Sequence, residues 1–490
     1  MKNFTFAIPK KIVKMLLHTL TGGFITLLVL AVIFLNNQAD LKVWHTAELD
    51  AEFTDSSPIK NFTDYLALED RLFAQLKEQV YDQIEPEDKV AINRFNQGSL
   101  SDPEQWPRNW NRSYELPADN PAVGVLLIHG MSDSPYSLRN LGLRLNAEGA
   151  HVIGLRVPGH GTTPSGLVDV RWQDMAAAVK LAVQHLSEQV GDQPIYIVGY
   201  SNGGALALHY ALTVIEDPAL PSVKKLVLLS PQIAVTKLAA LAIWQERLGH
   251  VLGLEKLRWN GVLPEYDPFK YNSFTINAGD QAYRLTIENQ SLLNTLATTG
   301  KLDQLPQILT FQSALDSTVS APAVVHQLFE KLPDNGHELV FFDINRIQVI
   351  EHLLKNDPKT LIESTSSNPN KRFIFSIVTN ENESSENVVV RTQKPGQTDI
   401  TQTNTDLSWP RNLFSLGHIA LPFPVQDPLY GLGHYKDNPR IQLGNIALRG
   451  EKGTLQVPSS AMLRVHWNPF YPYLEQRVLQ HIFVEDTTKN

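Results

Sequence analysis

Ile195-Tyr196-Ile197-Val198-Gly199-Tyr200-Ser201-Asn202-Gly203-Gly204 reads as a buried strand that runs through G-x-S-x-G directly into a helix. Pro194 precedes an apolar run of strand length, and Ala205 to Leu212 is a helix former that stops near Pro218. A strand followed at once by a helix leaves room only for a sharp turn. Small residues on both sides of the serine allow its backbone a strained angle. Such a turn lifts the Ser201 hydroxyl clear of the sheet and makes Ser201 the candidate nucleophile. Because G-x-S-x-G also arises in ordinary glycine-rich loops, its weight rests on this strand-to-helix setting.

Outward from that turn, apolar runs of strand length recur at Val123 to Ile128, His151 to Arg156, Leu226 to Leu229, Ile308 to Phe311 and Leu339 to Phe342, most of them separated by helical stretches. The alternation predicts a mostly parallel α/β sheet covered on both faces. Between Ser230-Pro231 and Pro306 lies an insertion too long for an ordinary connection. Its dense apolar residues, Ile243, Trp244, Leu248, Val251, Leu252, Leu254, Leu257 and Trp259, followed by Tyr266, Phe269, Tyr271 and Phe274, predict a helical cap over an apolar pocket. Further on, Arg372 to Val378 reads as a strand and Asn380 to Thr405 as a polar surface hairpin or mobile loop. Ile441 to Leu448 reads as a short hairpin and Tyr473 to Phe483 as a last helix.

A serine hydroxyl is a weak nucleophile until a histidine takes its proton, and that histidine needs a carboxylate to hold its tautomer. Asp316 follows the Ile308 to Phe311 strand and is the candidate acid, with Glu330 and Asp343 as fallbacks. A helix N-cap region is the competing reading for Asp316, because Ser317, Thr318 and Ser320 precede a helical run from Ala321 to Leu332. Among downstream histidines, His418 lies in a loop bounded by Gly417, Pro422 and Pro424, while His352 and His434 are the alternatives. The oxyanion of an acyl transfer needs two N–H groups. Asn202 follows the nucleophile, and Met131 follows the strand end Ile128-His129-Gly130.

With these residues in hand, the chain resembles the α/β-hydrolases of the monoacylglycerol lipase and carboxylesterase type. The resemblance is carried by Ile128-His129-Gly130, by Arg156-Val157-Pro158-Gly159-His160-Gly161, by Gly199 to Gly204 and by Asp316, and it spans roughly 122–332. It implies an α/β-hydrolase fold with an eight-stranded, mostly parallel sheet, and a serine esterase mechanism without metal or organic cofactor. It also implies that His160 shapes a loop and takes no catalytic part. The expected substrate is a lipid or other small acyl ester, and the same elbow also serves peptidases, thioesterases and amidases. A second class of function is a non-catalytic envelope protein that binds or assembles partners on a hydrolase scaffold.

A formal charge of −9 with scattered lysines and arginines provides no basic stripe, which argues against a nucleic-acid partner. The absence of cysteine excludes disulfides, thiolate metal sites and a lipid anchor on cysteine. Lys2, Lys10, Lys11 and Lys14 precede an uncharged run from Leu16 to Leu35. This predicts an N-terminal membrane anchor with the N-terminus inside and the remaining chain exported to the periplasm or exterior. The alternative is a secreted protein, cut near Gln38-Ala39. The expected division is therefore an anchor or signal segment at 1–40, an N-terminal extension at 41–117, a first core part at 118–231, a cap at 232–305, and a second core part with its insertion and C-terminal extension at 306–490.

Overall fold

The computed structural model describes residues 10–37, 39–234, 255–348, 353–433, 440–444, 456–458 and 463–484. Its strands are β1 (Tyr114–Leu116), β2 (Val123–Ile128), β3 (Ala150–Leu155), β4 (Ile195–Tyr200), β5 (Lys225–Leu229), β6 (Trp259–Gly261), β7 (Phe274–Thr275), β8 (Gln307–Ser313), β9 (Glu338–Phe342), β10 (Ile374–Asn380), β11 (Asn387–Gln393) and β12 (Thr401–Ser408). β6 and β7 form a small ribbon, and the others make one ten-stranded sheet in the order β1-β3-β2-β4-β5-β8-β9-β10-β11-β12. From β3 across to β10 every pairing is parallel. β1, β11 and β12 pair antiparallel at the two edges.

The sheet therefore has ten strands where eight were expected. The polar stretch after Asn380 accounts for the difference, because it folds into β11 and β12. Val388, Val389 and Val390 bury the middle of β11, while the threonines of β12 face solvent on the open edge. β-branched residues suit a pleated surface even when they are polar. The short hairpin expected from Ile441 does not form among the described residues, where 440–444 carry no strand, and 445–450 lie outside them.

The main helices are α1 (Lys10–Asn37), α2 (Phe62–Gln79), α3 (Arg139–Ala147), α4 (Trp172–Val190), α5 (Asn202–Glu216), α6 (Ile276–Thr298), α7 (Lys359–Ser366) and α8 (Tyr471–Phe483). Side-chain alternation along β2 sorts them into two layers. Leu126 and Ile128 join the core shared with α2, α4, α5 and α6. Val125 and Leu127 join the core shared with α3 and α8. The central strands are buried on both faces, which is why they read as unbroken apolar runs. Of the cap, the tryptophan-bearing stretch 235–254 lies outside the described residues. The described remainder comprises β6, β7, a loop and α6, whose Thr275 N-cap accepts a hydrogen bond from Ala278 N at 3.1 Å.

The N-terminal extension is built into this core. α2 begins at Asn61, whose side chain accepts from Asp64 N, and buries Phe62, Tyr65, Glu69, Leu72, Phe73 and Leu76 on one face. Glu69 and Glu52 both reach the buried Arg156 at the end of β3, at 3.1 and 2.9 Å. Burial opposes the charge on Arg156, and the two carboxylates outweigh it and keep the guanidinium ionised. Glu52 also accepts from Gly159 N and Glu69 from Ser113 N, so one cluster fixes three segments. At the other end of the chain, fully buried Asp427 accepts from Arg139 and Asn140, both at 2.8 Å, and from Tyr136 at 2.9 Å.

α1 extends for 28 residues. Among the described residues, however, no helix is long and apolar enough to cross a membrane. The expected spanning anchor therefore has no support from the fold.

Arg156→Met leaves Glu69 buried without its counter-charge. Such a change is expected to cost about 3–5 kcal/mol. Urea unfolding of the purified protein measures it, and a loss below about 1 kcal/mol would show that the cluster does not carry the extension.

Candidate active site

Ser201 stands between β4 and α5 with φ 54° and ψ −116°, in a region that L residues avoid. The turn is held by Ser201 N donating to Leu229 O at 2.9 Å and by Gln232 N donating to Ser201 O at 3.0 Å. The two glycines of the motif are needed for space. A Cβ on Gly203 would fall 2.1 Å from Ile128 O, and one on Gly199 would fall 2.3 Å from Gly203 O. The strand end at Ile128 and the elbow therefore touch backbone to backbone.

Asp316 and His418 meet, although 102 residues separate them: His418 Nδ1 lies 2.8 Å from Asp316 Oδ2. Both side chains are buried, and the histidine ring packs 5.3 Å from Tyr200, the residue before Ser201. The return of the chain is pinned to the ends of β8 and β9. Ser313 Oγ donates to Leu416 O at 2.8 Å, Asn345 N to Phe414 O at 2.7 Å, and Ile344 bridges Ser415. Asp316 Oδ1 also accepts from Thr318 N and Val319 N, and Oδ2 accepts from Gln312 Nε2. Burial alone would lift the Asp316 carboxyl. The charge and hydrogen bond of His418, with the two N–H groups, outweigh burial and hold it below the usual carboxylate range.

The fallback acids are engaged elsewhere: Glu330 with exposed His326, and Asp343 with Arg346 and Thr379. His352 and His434 lie outside the described residues. The helix-cap reading of Asp316 is true only in part, since Thr318 N and Val319 N do bond to it. The N-cap of the next helical turn is Ser320, and the segment after it passes into a π-helix over Val324–Phe329.

Near the elbow, Met131 and Asn202 carry backbone N–H groups that have no acceptor among the described residues. Asn202 owes this to its place in the first turn of α5. His129 fixes the Gly130–Met131 turn. Its Nε2 accepts from Val157 N at 3.0 Å, so Nδ1 carries the proton and donates to Gly130 O at 2.9 Å. Burial and the neighbouring His160 hold its imidazole well below the usual value, and it stays neutral. Tyr271, read from sequence only as a cap aromatic, ties the same region together. Its N donates to Ser132 O at 2.8 Å, and its hydroxyl accepts from Thr162 N at 2.8 Å.

A cavity of about 640 Å³ opens beside Tyr200 and Ile419. Its walls come from three distant parts of the chain: Ile92 of the extension, Leu263 and Tyr266 of the insertion, and Phe423, Tyr430, Ile441 and Leu443 of the C-terminal region. Arg94 N to Glu265 O at 2.9 Å, Ser101 Oγ to Tyr266 O at 2.6 Å and Ile441 N to Leu100 O at 2.8 Å join the walls. The sequence pointed to an apolar pocket but not to the extension as part of it, because no periodicity reports contacts between segments so far apart.

Residues 119–344 match the family described as Hydrolase_4, serine aminopeptidase, S33. That stretch of the chain has the α/β-hydrolase fold. A thermostable monoacylglycerol lipase from Bacillus sp. (strain H-257) is 35% identical to this chain over 94 residues, which are 19% of this chain and 37% of that one. The chain thus spans little more than a third of the length of the curated relative it matches. Among solved structures, a Paleococcus ferrophilus monoacylglycerol lipase aligns at 20% identity over 47% of this chain and 87% of that one, with a TM-score of 0.35. A Bacillus coagulans carboxyl esterase aligns at 18% identity over 47% and 83%, also with a TM-score of 0.35.

The depressed Asp316 carboxyl yields a pH test of this contact. A group held below its unfolded value stabilises the fold above that value, and the contribution is lost as pH falls through the folded one. The stability gap between wild type and Asp316→Asn should therefore be full above about pH 4 and shrink below it. Urea unfolding across this range checks the slope, and a gap that widens on acidification would reverse the assignment.

Proposed function

We propose that the protein is a serine hydrolase that cleaves carboxylic esters of lipid or small acyl substrates. The contact between His418 and Asp316 beside the Ser201 elbow carries this reading. In it, Ser201 Oγ attacks the carbonyl while His418 Nε2 takes the proton, and Asp316 holds Nδ1–H and stabilises the imidazolium. The N–H groups of Met131 and Asn202 receive the oxyanion. His418 then protonates the leaving alcohol, and water resolves the acyl-enzyme by the same route in reverse. The largely apolar walls of the cavity suit an acyl chain, and one matching relative is by its name a monoacylglycerol lipase. The family description, a serine aminopeptidase, favours amide cleavage as the second reading.

A fluorophosphonate should label the protein, and Ser201→Ala should abolish labelling. Equal labelling of both would favour the non-catalytic scaffold. Removing a member of such a triad typically costs three to six orders of magnitude in turnover. His418→Ala should accordingly abolish hydrolysis of p-nitrophenyl esters from butyrate to palmitate, while His352→Ala and His434→Ala should leave most of it. An alanyl anilide split faster than every ester would favour the peptidase.

We also propose that the N-terminal segment holds the enzyme at a membrane with its catalytic part outside the cytoplasm. Supporting this, Leu16, Leu17, Leu20, Ile25, Val29, Leu30, Val32 and Ile33 are exposed along α1. Thr19, Thr21 and Thr26 turn their hydroxyls back onto backbone carbonyls four residues earlier, which leaves these donors satisfied within the helix. The full chain should sediment with membranes after a carbonate wash and be digested by protease added to spheroplasts. Recovery in the soluble fraction, with a mature N-terminus near Ala39, would indicate cleavage and secretion instead.

A further inference from the structure

The cavity beside Tyr200 and Ile419, the neighbours of Ser201 and His418 in the chain, is apolar over most of its wall, yet two cationic side chains line it. Lys270 precedes Tyr271, whose N–H is bonded to Ser132 O in the oxyanion turn. Arg464 donates to Thr318 Oγ1 at 3.0 Å, two residues beyond Asp316. Among the described residues the Lys270 ammonium has no hydrogen-bond or ion-pair partner, and Arg464 uses only this one of its five donors.

Apart from four tyrosines, the other ionisable groups facing the cavity are Asp133, Asp267 and His466. Both acids are buried and already accept hydrogen bonds from the protein: Asp133 from Ser134 N at 3.0 Å, and Asp267 from Tyr430 at 2.6 Å and Phe269 N at 3.0 Å. Burial drives His466 down to about 4, so it adds no charge at neutral pH. The hydrogen-bonding capacity left open toward a ligand is therefore mainly that of cationic donors. A neutral glyceride offers such donors only uncharged hydroxyl and carbonyl oxygens, whereas a phosphate or carboxylate also answers their charge. Lysine serves as a point charge and arginine as a planar fork for oxyanions.

We propose that this cavity selects acyl esters that carry a negative charge near the scissile bond, with Lys270 and Arg464 as the residues that recognise the anion. The inference rests on the esterase reading. It deepens that reading by naming the substrate class.

The test compares kcat/KM of the full protein on dodecanoyl glycerol, dodecanoyl glycerol phosphate, dodecanoyl glycolate and the dodecyl ester of alanine. The phosphate and the glycolate distinguish a phosphate from a carboxylate as the anion. Wild type should prefer at least one of the two anionic esters over the neutral one by about tenfold, mainly through KM. Lys270→Gln and Arg464→Gln should each lower the anionic-to-neutral ratio by about tenfold, and Lys270→Arg should restore it. A change in that ratio cannot come from partial unfolding, which lowers all rates together.

Equal rates on charged and neutral esters, equal losses on all four substrates, or a preference for the cationic alanine ester would overturn the proposal. The last result would assign selectivity to Asp133 and Asp267. Failure of wild type to cleave any ester would overturn the esterase reading and this inference with it. Cleavage without charge preference would overturn this inference alone.

Discussion

The 2.8 Å contact between the Asp316 carboxylate and the His418 imidazole joins residues 102 apart, so the chain must run out to the far edge of the sheet and return to the same spot. The excursion adds β9, β10, α7, β11 and β12, and the return is then fastened to β8 and β9 through Leu416, Phe414 and Ser415. Every fastening sits at the carboxyl edge of parallel strands, where Ser201 also stands. Ligands of open α/β sheets bind at that edge because helix N-termini and loops converge there. The histidine is thus presented by a loop whose ends are held by the sheet itself. This explains how a distant side chain keeps a hydrogen-bond geometry that adjacent ones achieve more simply.

The polar interior serves the same end. Arg156 gathers Glu52, Glu69 and the Gly159 turn, and Asp427 gathers Arg139, Asn140 and Tyr136. Ion pairs of this kind are weak evidence for stability, since desolvation offsets much of their attraction. Their directional hydrogen bonds, however, set where the segments before and after the hydrolase core sit. Those segments then supply walls of the cavity.

The parallel sheet, the elbow and the order of candidate residues were legible because each rests on local pattern: strand-length apolar runs, small residues around Ser201, and an acid just past a strand. His418 was legible for a different reason, since Gly417 and two prolines mark a stiff loop in any context. Strands β11 and β12 were legible only as one of two readings, a surface hairpin or a mobile loop, and the hairpin is the one that forms. Their polar residues match a surface loop in composition, and only pairing with β10 turns them into strands. Lys270, Arg464 and Asp133 escaped because a lone charged residue in a loop carries no sequence signal; its meaning comes from the cavity it faces. The role of the extension was hidden likewise, because Glu52, Glu69 and Ile92 act on partners far along the chain.

The bond between Leu100 and Ile441 closes the cavity by joining residues from the first quarter and the last tenth of the chain. Contacts of such long range are slow to form, since the loop must be ordered before anything is gained. In the order of synthesis, the Ser201 elbow is therefore complete long before the last wall of the cavity beside it.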